Sequence, residues 1–248
     1  MVVAVSAVYA TSCTAVRSGD EALVIDSPVL PEELDMLPAV LEQASFPVRG
    51  LLATHADWDH LLGRLAYPGA ALGVPETSAA RLRAEPGGAQ RGLRRFDEEQ
   101  YATRATPLAL GDVEALPVPG KLEIGTEEIE LHPADGHTAD GMALWLPWAR
   151  ILVCGDYLSP WEIPMISDGG SLSAYRATLR RLAPLVEQAS TVVAGHGGPI
   201  DAVRAAAILR EDLAYLDALE ADGAAAPLPL ARRTGEQQRI HAANAGGR

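Results

Sequence analysis

The chain has 248 residues, a formal net charge of −13 and 48% hydrophobic residues, which describes an ordinary globular protein with length enough for one large domain and a sizeable core. Its basic residues are scattered arginines and one lysine, Lys121, so no basic stripe is available to a phosphate backbone or an anionic membrane, and neither nucleic acid nor membrane is an expected partner. Two cysteines, Cys13 and Cys154, form no spaced disulfide framework, and a cytoplasmic setting is expected.

The opening MVVAVSAVYATSCTAV is apolar but lacks a basic n-region, so it reads as a pair of strands and not as a signal peptide. The turn SGDE leads into a further strand, ALVID. Leu34, Leu37, Leu41 and Ala44 then recur at helical spacing across PEELDMLPAVLEQA, with Pro38 inside. VRGLLATH is a strand that runs straight into ADWDHLLG. Residues 64–120 are Gly- and Arg-rich around a PGAALGVPE strand and turn, and they read as an insertion near the functional loops.

In EEIELHPADGH, Ile129 and Leu131 alternate with Glu128, Glu130 and His132, and Pro133 breaks the strand before His137. His132 is therefore a surface strand residue. ARILVCGDYL ends a buried strand at Asp156, and STVVAGHGG ends another at His196. Between them, Leu172, Tyr175, Leu179, Leu182 and Val186 form one helical stripe, and a last helix is expected over about residues 201–221. A single domain over 1–221 would leave a tail over 222–248 that is either flexible or docked through Ile240 and His241.

Four strands thus end in polar loops that hold His55, Asp57, Asp59 and His60, then His137, then Asp156, then His196. Only His132 and His241, of six histidines, lie outside this set. Imidazole and carboxylate donors suit zinc, iron or manganese, and a binuclear site wants about six or seven of them with one shared oxygen. Trp58 either walls the site or packs on a neighbouring strand, and the loop YLSPWEIPMISDGG either lines a hydrophobic cleft or plugs the core.

THADWDHLLG, DGHTADG, CGDYL and AGHGG, in that order, resemble the motifs of the metallo-β-lactamase fold superfamily, with the motif order of its glyoxalase II-like and lactonase-like hydrolases. The resemblance spans essentially residues 1–215 and implies an α/β fold: an αββα four-layer sandwich of two mixed β-sheets flanked by helices. It implies two divalent metal ions, zinc first and iron or manganese as alternatives. His55, Asp57 and His137 would hold one ion, Asp59, His60 and His196 the other, and Asp156 would bridge them. Asp59 would also orient the nucleophile and relay a proton.

The family pattern T-H-x-H-x-D-H-x-x-G is matched at every fixed place but one, where Asp57 replaces the second His. That swap makes the site harder and more negative. The implied activity is metal-dependent hydrolysis of an ester, lactone, thioester or amide in a small-molecule substrate. Diiron oxygen reductases of the same superfamily carry Glu at the place of Asp57, so a diiron redox protein is the alternative, although no Gly-rich phosphate loop for a flavin is present. A non-catalytic metal-binding module is the third reading. The acidic balance disfavours a polynucleotide substrate.

Overall fold

In the computed structural model, which describes residues 1–246, the chain order builds one sheet and then the other. Strands β1 (Val2–Val5), β2 (Ser12–Ser18) and β3 (Glu21–Ile25) form an antiparallel meander. Helix α1 (Pro31–Gln43) returns the chain so that β4 (Val48–Leu52) lies parallel to β3. After the single turn α2 (Gly63–Ala66) come β5 (Ala71–Pro75), α3 (Glu76–Ala84), α4 (Gly88–Gln100) and β6 (Val113–Leu116). Both strands add in parallel, giving a six-stranded sheet in the order β1 to β6.

The stretch expected to be an insertion therefore contributes two strands to this sheet. The strand expected in PGAALGVPE is β5, with Leu72 and Val74 facing the core behind the sheet, whereas β6 is a four-residue strand that the sequence reading missed.

The second sheet follows in β7 (Gly120–Ile124), β8 (Glu127–Pro133), β9 (Met142–Leu146), β10 (Ile151–Val153), β11 (Thr191–Val193) and β12 (Pro199–Asp201), ordered β12-β11-β10-β9-β8-β7. Helices α5 (Leu172–Gln188) and α6 (Ala202–Asp222) cover its outer face. Each starts at a side-chain cap, Ser171 accepting from the Ala174 amide and Asp201 from the Arg204 amide, a device that contributes about 1 kcal/mol.

Three apolar layers separate the four structural ones, as expected of an αββα sandwich. β9 shows why: Met142, Leu144 and Leu146 face the inter-sheet layer with Ile25, Leu52 and Ile129, while Ala143 and Trp145 face α5 and α6. A third layer joins Leu37 and Leu41 of α1 to Val24, Leu51 and Leu72 of the first sheet. Fully burying one such Leu or Ile contributes roughly 1.5–3 kcal/mol.

His132 lies on the half-exposed face of β8 with Glu130, as its alternation predicts. The C-terminal segment packs through α7 (Gly235–Gly246), with Ile240 in the layer beside α6 and His241 Nδ1 3.0 Å from Tyr215 Oη. The last two residues of the tail, Gly247 and Arg248, lie outside the described residues. Among the described residues no helix is long and apolar enough to cross a membrane.

Strand direction places the polar loops. β8 and β10 each run antiparallel to β9, and β11 runs parallel to β10, so all three deliver their ends to one edge of the second sheet. β3 and β4 share a direction in the first.

Candidate metal centre

Each of the seven donors expected from the sequence reaches this edge. His55 Nε2 is 3.6 Å from both Asp57 Oδ2 and Asp156 Oδ2, and His137 Nε2 is 3.2 Å from the same two oxygens. On the other side His60 Nε2 lies 3.3 Å from Asp156 Oδ1 and 3.7 Å from Asp59 Oδ2, while His196 Nε2 lies 3.4 Å from Asp156 Oδ2 and 3.6 Å from Asp59 Oδ2. The trios His55/Asp57/His137, His55/His60/Asp156 and Asp59/His60/His196 each have donor atoms within 4.8 Å of one another. Asp156 is in reach of all four imidazoles.

The outward ring nitrogens are already engaged. His137 Nδ1 donates to the Met165 carbonyl at 2.9 Å and His196 Nδ1 to the Tyr9 carbonyl at 2.8 Å. His60 Nδ1 lies 3.1 Å from Asp26 Oδ2. His55 Nδ1 meets the Thr54 hydroxyl at 3.1 Å, which itself donates to Asp26 Oδ2. The hydrogen bonds of His55, His137 and His196 favour a proton on Nδ1 and leave their Nε2 atoms to face Asp156. His55 Nε2, His60 Nε2 and Asp156 Oδ1 are buried without a hydrogen bond. Leaving such atoms unpaired is costly, and a divalent cation shared among them removes the cost. The residues present fit one.

Backbone shape admits this crowding. A Cβ on Gly195 would stand 2.1 Å from Asp156 Oδ1 and 2.9 Å from His60 Cε1, so only glycine lets the strand end approach.

The electrostatics agree. Burial favours neutral imidazoles, yet Asp156 and its fellow carboxylates overcome it, holding His137 at about 9, His196 at about 10 and His60 well above its ordinary value. Burial likewise opposes the charged form of Asp57 and Asp156, but the imidazoles keep both far below the usual carboxylate range. Without a cation His60, His137 and His196 are held in the protonated form, so metal uptake must displace those protons.

Sequence reasoning missed the supporting residues. Asp26 ends its strand in the same way as Asp156 and was legible on that ground; its Oδ1 also accepts from the Thr54 amide at 2.7 Å. Arg81 was not legible. Its Nη1 donates to Asp57 Oδ1 at 2.8 Å and to Asp140 Oδ1 at 3.0 Å, and buried Asp140 also accepts from the Ala56 amide and the Ser78 hydroxyl. The unexpected carboxylate at position 57 thus gives one oxygen to a guanidinium and turns the other towards His55 and His137.

Glu162 was missed as well: it lies in reach of Asp156 and His196, and burial pushes its carboxyl up to about 7. The core-plugging reading of the loop that carries it holds at Ile163, which packs in the core, while Trp161 stacks on His196. The C-terminal segment grips that loop. Buried Arg232 donates to the Glu162 carbonyl at 2.6 Å, Gln237 accepts from the Ile163 amide, and Asn244 pairs with the Ile166 amide and the Pro164 carbonyl. Trp58 walls a cleft beside Asp57, as one reading of it expected, and packs on Phe96 of helix α4 and not on a neighbouring strand.

The sequence model of the Metallo-beta-lactamase superfamily matches residues 7–196, three quarters of the chain and every donor named above. The chain belongs to this superfamily. A hydroxyacylglutathione hydrolase of Rhodobacter capsulatus is 29% identical over 177 residues, 71% of this chain. The match spans 57% of that hydrolase's length, less than two thirds. The fold is similar to that of a metallo-beta-lactamase family protein from Thermus thermophilus, with a TM-score of 0.66 and 22% identity over 85% of this chain and 76% of that one. TTHA1623 in a di-iron-bound form superposes with a TM-score of 0.65 and 20% identity over 82% of this chain and 96% of that one.

Proposed function

We propose that the chain is a metal-dependent hydrolase of a small-molecule ester, lactone, thioester or amide, with seven ligands: His55, Asp57 and His137 for one ion, Asp59, His60 and His196 for a second, and Asp156 between them. The observation that carries this reading is the set of four imidazoles whose Nε2 atoms converge on Asp156 while their Nδ1 atoms are tied outward. The superfamily membership and the name of the Rhodobacter relative support hydrolysis, and make a hydroxyacylglutathione a sensible first substrate to try.

Two divalent cations held there would supply Lewis acidity and a water that is nucleophilic near neutral pH. The chain's own residues supply the rest. Asp59 turns Oδ2 towards His60 and His196, and its side chain is 13% exposed. It orients the attacking water and carries its proton towards the leaving group. Ser27 holds Asp59 through its backbone carbonyl and also accepts the Leu62 amide, which keeps the loop rigid. Asp26 fixes the ring of His60, and Arg81 offsets the charge of Asp57.

Four imidazoles with three carboxylates suit zinc, and the carboxylate at position 57 also suits iron or manganese. Elemental analysis of protein purified without added metal, followed by a screen of carbonyl substrates, tests the reading. Close to two ions per chain and hydrolysis that stops on chelation are expected. A chain that binds no metal, or two irons with oxygen consumption and no hydrolysis, would overturn it.

A further inference from the structure

Besides the donor cluster itself, the feature that bears most directly on the substrate is a cleft of about 340 Å³ between α3 and α4 that opens on Asp57. Three guanidinium groups border it, those of Arg81, Arg91 and Arg95, in a chain whose net charge is −13. Arg81 is engaged by Asp57 and Asp140. The other two are not neutralised: Arg91 donates to the Pro86 carbonyl at 3.0 Å, and no ion pair joins either arginine to a carboxylate among the described residues. Glu85 is the other acid on the wall.

The arrangement is built into α4. Arg91 and Arg95 are one turn apart, so they share a face, and Gly88 and Gly92 stand on that face beside them. Glycine inside a helix costs about 1 kcal/mol relative to alanine, so its use there needs a reason. At Gly92 the reason is Trp58: a Cβ would come within 2.7 Å of its ring. The indole between Asp57 and Asp59 therefore rests on the helix backbone, with Phe96 at 5.0 Å between ring centres, and registers α4 against the donor loop. Both arginines are held at a set place beside the cluster while their ends stay in solvent.

We infer that this cleft receives an anionic oxyacid group, carboxylate or phosphate, of the substrate whose carbonyl is cleaved at the donor cluster, with Arg91 and Arg95 as its counter-ions; this rests on the hydrolase reading. Guanidinium forks pair with planar or tetrahedral oxyanions through two parallel N–H bonds, which gives orientation as well as attraction. The local field reverses what the net charge of the whole chain suggests.

The test uses the metal-loaded full chain and three thioesters that share one acyl group and differ only at the far end of the leaving group, which bears a carboxylate, a phosphate or a neutral amide. A kcat/KM at least about tenfold higher for one anionic substrate than for the amide is expected, and the better anion identifies the group. In the double variant Arg91→Gln/Arg95→Gln that ratio should fall close to one, mainly through KM, and in the wild type it should shrink as salt is raised. Equal rates for the three substrates, or a ratio that survives in the double variant, would overturn the inference and leave the hydrolase intact. No hydrolysis of any carbonyl substrate would sink both.

Discussion

The two halves of the donor cluster are built to different standards. In the half made of Asp59, His60 and His196, the His60 side chain is wholly buried, with Asp26 behind it, and a main-chain carbonyl orients His196. In the half made of His55, Asp57 and His137, the Asp57 side chain is 23% exposed and leans on Arg81, itself 27% exposed at the edge of an open cleft. Buried strand ends hold the histidines of both halves, and a side chain from an outer helix holds Asp57. A closed half is expected to resist change, and an open one is where a carboxylate can replace an imidazole provided a cation arrives to balance it.

The largest effect is expected in the closed half. Asp59→Asn removes an anionic donor and the proton carrier together, so kcat should fall on the order of 10²–10⁴-fold while circular dichroism stays native. A purified variant at full activity would mean that the nucleophile is oriented elsewhere.

Asp26→Asn comes next. It leaves all seven donors in place but loosens His60, and a change behind a ligand of this kind typically costs about 10–100-fold in metal affinity. The metal-to-chain ratio of the dialysed variant should drop from about two towards one; an unchanged ratio and affinity would show that His60 needs no support from behind.

Arg81→Met should give the smallest loss of the three, nearer the tenfold end of the same range, and confined to the open half. Arg81→Lys should recover part of it, and the double variant Asp57→His/Arg81→Met should restore a second ion better than either change alone. If Arg81→Met and Arg81→Lys bind two ions as tightly as the wild type, the guanidinium does not position Asp57, and the contrast between the halves would rest on burial alone.

The open half also explains what was hard to read. Asp57 stood out in THADWDH because the motif is local, but the residue that makes it workable lies on α3, and its other partner, Asp140, is 59 residues further along the chain. Asp140 in turn reaches Ala56 across 84 residues. Asp26 serves the loop at Thr54 across 28 residues, yet it ends a strand as the expected donors do, so its pattern was visible. The C-terminal segment shows the same limit. Arg232, Gln237 and Asn244 have no periodicity in common, and only packing brings them to the loop at residues 159–166.

By itself the sequence determined most of the strands and helices outside residues 64–120, because alternation and helical stripes are properties of a few neighbouring residues, while the half-buried helices α3 and α4 went unread in a Gly- and Arg-rich stretch. It also placed the seven expected donors in loops that follow apolar strands. The tertiary structure alone decided that β5 and β6 complete a sheet instead of forming an insertion, since which strands pair is a long-range outcome. It also decided which charges meet. Ion pairs and hydrogen bonds act over a few ångströms in space, and in this fold those ångströms join residues whose separation in the chain carries no signal of the contact.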